Sequence, residues 1–190
     1  MTFWPEVGAA DTVRPILRFE PASQTIGFGN IAQVAVGLSD LATIGSPSVG
    51  AFDLAVQFDP NILSFVDLKF APYLGDPADP TQTISDISLF ENKVVLFGEV
   101  FLLTIDDLDG LQASFEDSFL PLAHLSFMGV GPCRSPLQYT RGIVGDGAGD
   151  PIAVSFEEGN IEVPEPGSLL FICVGLGLLG ACRHVPTRLR

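Results

Sequence analysis

The acidic residues of this 190-residue chain stop abruptly before its end, and this boundary divides the chain into two parts. All 23 Asp and Glu lie at or before Glu165, together with six of the nine Lys and Arg. The other three basic residues are Arg183, Arg188 and Arg190. The chain therefore has a large acidic body and a short apolar, basic tail. Its net charge of −14 argues against nucleic acid as a partner, because phosphate binding needs a surface of Lys and Arg.

The tail begins with a structural break and continues as an uncharged run. Pro164 and Pro166 flank Glu165, and each proline lacks the N–H group that regular structure uses. Residues 167–182 contain no charge, which predicts a single C-terminal transmembrane helix about 24 Å long. The alternative is a buried helix of the core, which should show one polar face. Arginines after the helix favour a cytoplasmic C-terminus, with the body outside the inner membrane.

The order of these parts resembles the PEP-CTERM sorting signal of Gram-negative bacteria. The matching residues, within 164–190, are the triplet Pro164, Glu165 and Pro166, the apolar run, and the basic flank of Arg183, Arg188 and Arg190. The resemblance implies that an exosortase, a membrane-embedded enzyme, recognises the triplet and processes the protein at the cell envelope. It also implies a link to exopolysaccharide and biofilm systems, with release of the body to the surface or matrix after processing.

The start of the chain lacks the signal that export normally requires. Residues 1–15 have neither a basic beginning nor an apolar core, and they are interpreted as a leader or a truncated N-terminus. We therefore expect a signal peptide upstream of this start. The alternative is a tail-anchored protein with its body in the cytosol, which would place the arginines against their usual orientation.

In the body, apolar and polar residues alternate as they do in β-strands that bury one face. Two sets at this spacing are Ala32, Val34, Val36 and Leu38, and Phe52, Leu54, Val56 and Phe58. Further strands are predicted at 62–70, 94–103 and 120–130, of which 94–103 is apolar on both sides and predicted to be central. A hairpin is predicted to join 152–156 to 160–163. Turn signals between the strands predict an all-β sandwich of two packed sheets.

Three parts of the body carry a second resemblance. They are Phe19-Glu20-Pro21 before the strand at 31–38, the strand–Phe58-Asp59-Pro60–strand unit within 49–65, and the closing segment 159–163. Residues 16–163 resemble a cohesin-like domain, in the superfamily that includes bacterial carbohydrate-binding modules. The resemblance implies a jelly-roll β-sandwich of nine strands that binds carbohydrate or protein and does not catalyse a reaction.

Few residues of the body suggest chemistry. Asp107, Asp109 and Glu116 are spaced somewhat like calcium ligands, but Ile105 stands where an EF-hand needs an oxygen. The segment that carries these residues is interpreted as a loop. It has either no metal site or a calcium site looser than that of an EF-hand. His124 is interpreted as a structural residue of a strand, with catalysis or metal binding as the alternative. No nucleophile elbow or phosphate-binding glycine loop occurs, so the chain is predicted to be neither an enzyme nor a cofactor-binding protein.

These observations predict a non-catalytic envelope protein whose cohesin-like domain binds extracellular polysaccharide or an envelope protein. The alternative is a purely structural matrix or biofilm component without a discrete ligand. Sugar-binding modules often stack exposed aromatic rings on their ligands. Here Trp4 lies in the leader, Tyr73 in a predicted loop and Tyr139 shortly after Pro136, and these residues form no predicted strip.

Overall fold

Eleven β-strands and one α-helix are present in the computed structural model, which describes residues 14–41, 48–115 and 119–165. The strands are β1 (Ile16–Glu20), β2 (Ser23–Thr25), β3 (Ile31–Ser39), β4 (Val49–Gln57), β5 (Leu63–Phe70), β6 (Thr83–Phe90), β7 (Val94–Phe101), β8 (Leu120–Gly129), β9 (Cys133–Asp146), β10 (Ser155–Phe156) and β11 (Gly159–Val163). The helix α1 (Ile105–Gln112) follows β7, and a short 3-10 helix (Ala113–Phe115) continues it.

The strands form two sheets that pack against a common core. The five-stranded sheet has the order β10-β1-β3-β8-β5, and the six-stranded sheet has the order β2-β11-β9-β4-β7-β6. Most neighbours are antiparallel, but β1 with β10 and β2 with β11 are parallel. Both ends of the body therefore contribute one strand to each sheet. The prediction of an all-β sandwich is confirmed.

The alternation of apolar and polar residues correctly predicts which side chains face the core. The sets predicted to face inward on β3 and around β4 are all buried, as are Ala123, Leu125 and Phe127 on β8. The ring centre of Phe127 lies 5.1 Å from that of Phe58 and 6.1 Å from that of Phe65. Aromatic rings at these distances attract each other in addition to the area they bury. The turn predicted at Asp59-Pro60-Asn61 is also present, with the Asn61 N–H donating to Asp59 Oδ1 at 2.9 Å.

The predicted hairpin at 152–163 is wrong. Ser155 pairs with Ile16 in the five-stranded sheet, whereas Ile161 pairs with Ser135 and Gln24 in the six-stranded sheet. The chain therefore changes sheet between β10 and β11, and the two strands cannot pair with each other. The reason is that β10 pairs with β1 near the start of the chain, while β11 pairs with β9 and β2, and local sequence does not show these pairings.

Residues 105–112, which were interpreted as a loop, form the helix α1. Thr104 caps it, because the Asp107 N–H donates to Thr104 Oγ1 at 3.3 Å. Asp106 and Asp107 add negative charge to the first turn, where the helix dipole favours it. Leu108 is fully buried and attaches the helix to the core.

The described ranges contain no helix with the length and apolar character that a membrane crossing requires. The predicted transmembrane helix at 167–182 lies outside the described residues, and so does most of the predicted leader, residues 1–13.

Candidate functional site

Exposed apolar side chains lie on the solvent side of four adjacent strands of the six-stranded sheet. The strands β9, β4, β7 and β6 lie side by side in that order. Directly paired residues point to the same side of a sheet, so the register identifies the residues that share this surface. We call the following set the outer face: Arg141, Ile143, Gly145, Ala51, Asp53, Ala55, Leu96, Gly98, Val100, Ile84, Asp86 and Ser88.

One row across the outer face is entirely apolar. Val100 on β7 pairs with Ala51 on β4 and with Ile84 on β6. Val100 is 47% exposed and Ile84 is 61% exposed, and Ile143 in the next row is 53% exposed. Single exposed apolar residues are common, but apolar side chains that adjoin on a flat surface indicate an interaction site. The outer face therefore has the character of a binding surface.

A shallow groove beside this row lies between two carboxylates. Gly98 on β7 pairs with Asp53 on one side and with Asp86 on the other. The groove has a volume of about 290 Å³ and reaches the backbone at Gly98, which has no side chain to fill it. A Cβ atom at Gly98 would lie only 2.8 Å from the carbonyl oxygen of Phe52. Glycine at this position keeps the groove open.

The two carboxylates of the groove differ in their partners. Asp53 Oδ2 forms an ion pair with Arg141 Nη2 at 2.6 Å, and both side chains are partly exposed. Asp86 has no ion pair or side-chain hydrogen bond with any described residue. A cationic group of a partner could pair with Asp86 at little cost, because the carboxylate is exposed and loses little hydration.

The core side of the same strands contains a buried carboxylate. Glu99 on β7 pairs with Phe52 and Ser85, is only 1% exposed, and neither of its carboxylate oxygens has a hydrogen-bond partner. Burial raises the pKa of Glu99 to about 7, and the nearby Thr83 hydroxyl offsets this only in part. Glu99 is therefore the described carboxyl group whose charge changes near neutral pH.

The residues of the predicted sorting triplet begin directly where the sheet ends. Val163, the last residue of β11, pairs with Cys133, and Pro164 and Glu165 follow it as exposed residues. Proline cannot donate a hydrogen bond to a neighbouring strand, so the sheet stops there. Pro166 lies outside the described residues, as do the three arginines of the basic flank, Arg183, Arg188 and Arg190.

Two of the three weak calcium candidates lie within the described residues, and both have partners inside the protein. Asp107 and Asp109 lie on α1, where Asp107 Oδ2 accepts a hydrogen bond from Thr104 Oγ1 at 2.7 Å and Asp109 Oδ1 accepts one from Ser48 Oγ. Glu116 lies outside the described residues. In the part of the chain that the structure describes, no three Asp, Glu, His or Cys side chains form a metal-binding group. A calcium site that includes Glu116 stays a prediction.

The two tyrosines considered for sugar binding are partly buried in aromatic contacts. Tyr139 stacks on Phe19 with ring centroids 4.6 Å apart, and Tyr73 meets Phe115 edge-on at 4.5 Å. Each ring therefore already contacts another aromatic side chain. Trp4 lies outside the described residues.

His124 lies on the other sheet. It is exposed on β8 and pairs with Ala35 on β3 and Lys69 on β5. Neither neighbour is a metal ligand or an acid that could orient an imidazole. The position agrees with the interpretation of His124 as a structural strand residue.

The outer face itself was not identified from the sequence. Its exposed apolar residues come from β6, β7 and β9, and only β7 was predicted as a strand. The signal that could have found it is the apolar character of both sides of β7, where Leu96 and Val100 alternate with the buried Val95 and Phe97. That pattern was interpreted only as a central strand. β7 does lie inside its sheet, between β4 and β6, and one of its sides faces solvent.

A profile of the PEP-CTERM protein-sorting motif matches residues 162–185. The chain therefore carries this motif, as the sequence predicted, and the motif indicates export and sorting to the cell envelope. The match begins at Glu162, inside β11, so the motif and the folded body adjoin without a linker. No curated protein matches the chain in sequence.

Solved cohesin domains share the fold of the body. A chain of the Coh-OlpA–Doc918 type I cohesin–dockerin complex from Clostridium thermocellum is 13% identical, with a TM-score of 0.59 over 80% of this chain and 99% of that chain. A type II cohesin from the cellulosome of Acetivibrio cellulolyticus is 13% identical, with a TM-score of 0.58 over 78% and 94%. A non-cellulosomal cohesin from the archaeon Archaeoglobus fulgidus is 14% identical, with a TM-score of 0.55 over 84% and 96%. The fold is cohesin-like, as predicted.

Proposed function

We propose that this chain is a non-catalytic protein of the envelope of a Gram-negative bacterium, and that it binds a protein partner through the outer face. The sorting motif supports the location. The body would lie outside the inner membrane and be handed to an exosortase-type enzyme through Pro164, Glu165 and Pro166. In this proposal the chain has three parts: a leader before residue 16, the sandwich at 16–163 and the tail at 164–190.

The observation that carries the binding proposal is the exposed apolar row of the outer face. Fully burying a Val or Ile side chain contributes about 1.5–3 kcal/mol. Ile84, Val100 and Ile143 are each about half exposed, so covering them provides several kcal/mol toward binding. Because Asp86 is unpaired and the body is strongly acidic, the partner is expected to present basic as well as apolar groups.

Two observations favour a protein over a polysaccharide. The exposed apolar side chains of the outer face are aliphatic, whereas sugar sites rely on stacked aromatic rings. Phe90 is exposed on the same side of β6, but it lies at the end of the strand, and Tyr73 and Tyr139 contact other aromatic rings. In addition, one of the solved structures with this fold is a cohesin in complex with a dockerin, which is a protein. A protein is therefore a better hypothesis than a polysaccharide for the partner of this chain.

Photo-crosslinking in the native host tests the binding surface. We expect a photoreactive phenylalanine at Val100 to give one discrete adduct with another protein, and the same group at Gln33, exposed on β3 of the other sheet, to give none. The Asp86→Arg variant should reduce the Val100 adduct severalfold, because it replaces an attractive charge with a repulsive one.

Two outcomes would contradict the proposal. Saturable binding of the host's purified exopolysaccharide, with no protein adduct at Val100, would identify a carbohydrate module. The absence of both would identify a structural matrix component without a discrete ligand. An adduct between two copies of this chain would not count as the partner.

Replacing Pro164, Glu165 and Pro166 with alanine tests the sorting role separately. We expect the unprocessed protein to accumulate in the inner membrane, because the processing enzyme no longer recognises the tail. Cell fractionation and the apparent mass of the product measure this. The double variant Glu157→Ala/Glu158→Ala, which changes exposed residues of the body, should be processed like the natural protein. Normal processing of the triple variant would refute the sorting role.

A further inference from the structure

Three of the four sheet edges formed by the described strands are poorly suited to pair with another strand. β2 has three residues and β10 has two. β5 is longer, but it carries Asp67 and Lys69, and its pairing with β8 is interrupted by a bulge between Phe65 and Asp67. Short strands, charged side chains and bulges are the features by which proteins keep sheet edges from associating.

The fourth edge, β6, is neither short nor bulged, and it carries a single charged residue. Its eight residues pair with β7 in an unbroken register, and β7 is its only partner among the described strands. Between Ile84 and Leu89, the backbone groups that point away from β7 have no partner in the described structure. Asp86 is the one charged residue of β6, and the strand contains no proline.

Both sides of β6 also carry exposed apolar residues. Ile84 and Phe90 lie on the solvent side, while Ile87 and Leu89 point toward the core side of the sheet. Ile87 and Leu89 are nevertheless 41% and 43% exposed, although their pairing partners on β7 are fully buried. The second sheet therefore covers β7 but not β6, and within the described ranges no other element covers this edge of the six-stranded sheet.

We propose that two copies of this chain associate through β6, in an antiparallel pair with a two-fold axis at Ile87. The two six-stranded sheets then form one continuous sheet. In this register Ile84 lies opposite Phe90 of the second copy, and Asp86 lies opposite Ser88. The pairing buries the apolar side chains of both copies and provides hydrogen-bond partners for the free backbone groups.

Charge favours a second copy in this register over others. Shifting the pairing by two residues in one direction would place the two Asp86 carboxylates opposite each other, which is unfavourable. In the proposed register each carboxylate faces a hydroxyl group. Glu91, just beyond the strand, is neutralised by Lys93, with Glu91 Oε2 and Lys93 Nζ 2.6 Å apart. The β6 edge is thus a weakly charged part of an otherwise acidic surface.

The size of the contact sets the expected affinity. One pair of eight-residue strands buries less than the roughly 1,200 Å² that stable interfaces bury. The dimer is therefore expected to form with a dissociation constant on the order of 10 μM or weaker. The pairing shares Ile84 and Asp86 of β6 with the outer face and leaves its residues on β7, β4 and β9 accessible. The pairing is argued from the β6 edge alone and does not rest on the proposed partner binding.

Analytical ultracentrifugation of the full-length chain in mild detergent, over a concentration series, tests this pairing. We expect a monomer–dimer equilibrium in the natural protein. Ile87→Lys should weaken it by about tenfold or more, because two ammonium groups would meet at the two-fold axis. The matched control is Val66→Lys on β5, also at an exposed edge position, which should leave the equilibrium unchanged. A protein that stays monomeric, or a dimer that Ile87→Lys does not weaken, would overturn the proposal.

Cysteine crosslinking tests the register without relying on the folding of the lysine variant. In a background with Cys133, Cys173 and Cys182 replaced by serine, Ile87→Cys should form a disulfide-linked dimer under mild oxidation, because the two side chains adjoin at the axis. Val66→Cys in the same background should stay monomeric. Equal crosslinking at both positions, or none at position 87, would overturn the proposed axis.

Discussion

Glu99→Gln is expected to make the protein more stable by about 3 kcal/mol at pH 8 and to leave its stability nearly unchanged at pH 4. Burial raises the pKa of Glu99 from its ordinary value of 4.5 to about 7, so the folded state holds a proton that the unfolded state releases. The contribution of Glu99 to the stability of the natural protein therefore falls as the pH rises from about 4.5 to about 7, and then levels off. Glutamine cannot ionise and avoids this loss. Urea unfolding of the full chain between pH 4 and pH 8 measures the difference.

Glu91→Gln is the matched control for this prediction. Lys93 lowers the pKa of Glu91, so removing this carboxylate gives no gain in stability at pH 8. If Glu99→Gln and the natural protein unfold in parallel over the whole pH range, then Glu99 is not held in the uncharged form by burial.

Gln112→Leu is expected to destabilise the protein by about 3 kcal/mol. Gln112 Oε1 accepts a hydrogen bond from the Val49 N–H at 2.8 Å, and its Nε2 donates to the carbonyls of Val49 at 2.8 Å and Tyr73 at 3.1 Å. Leucine fills a similar volume but leaves these buried backbone groups without partners. The midpoint of urea unfolding measures the loss, and amide hydrogen exchange at Val49 should become faster.

Gln138→Leu is the comparison for Gln112→Leu. Gln138 donates one exposed hydrogen bond, to Glu158 Oε1 at 3.0 Å, so its loss should change the free energy of unfolding by less than about 1 kcal/mol. Equal effects of the two substitutions would show that the contacts of Gln112 do not attach α1 to the sheets.

The sequence predicted strands where one face is buried along their whole length. On β3 and β8, apolar residues recur at every second position, and burial follows that pattern closely. The tail was predicted for a similar reason, because the end of the acidic residues coincides with the triplet that starts at Pro164. In both places the signal lies in residues that are close together in the sequence. Such a signal can be recognised without knowing which distant parts of the chain pair.

Elements defined by distant pairing could not be predicted in this way. β6 carries apolar residues on both sides and covers little of the core, so it lacks a one-sided pattern. β9 contains Pro136 and two glycines, and its pairing with β4 shifts register beside Val56, which interrupts the alternation. The short β10 depends on β1, almost the whole length of the body away. The outer face depends on all these pairings, and therefore appears only in the fold.

The helix α1 is a different case, because its signals were present. Thr104 precedes two aspartates, and Ile105, Leu108 and Leu111 recur at a helical interval. Eight residues are few for a helix that has no other support, since isolated helices of this length are marginal in water. Burial of Leu108 and the hydrogen bonds of Gln112 provide that support, and neither is visible in the sequence.

The position of β11 between β9 and β2 has a mechanical consequence, because the sorting motif continues directly from this strand. A force on Pro164 along the direction of β11 would act across the hydrogen bonds that run sideways from the strand to both neighbours. Under such a force these hydrogen bonds are loaded together and must break at the same time. This takes more force than breaking them one after another. A body whose last strand is held in this way is expected to withstand such a force better than one that ends in a hairpin.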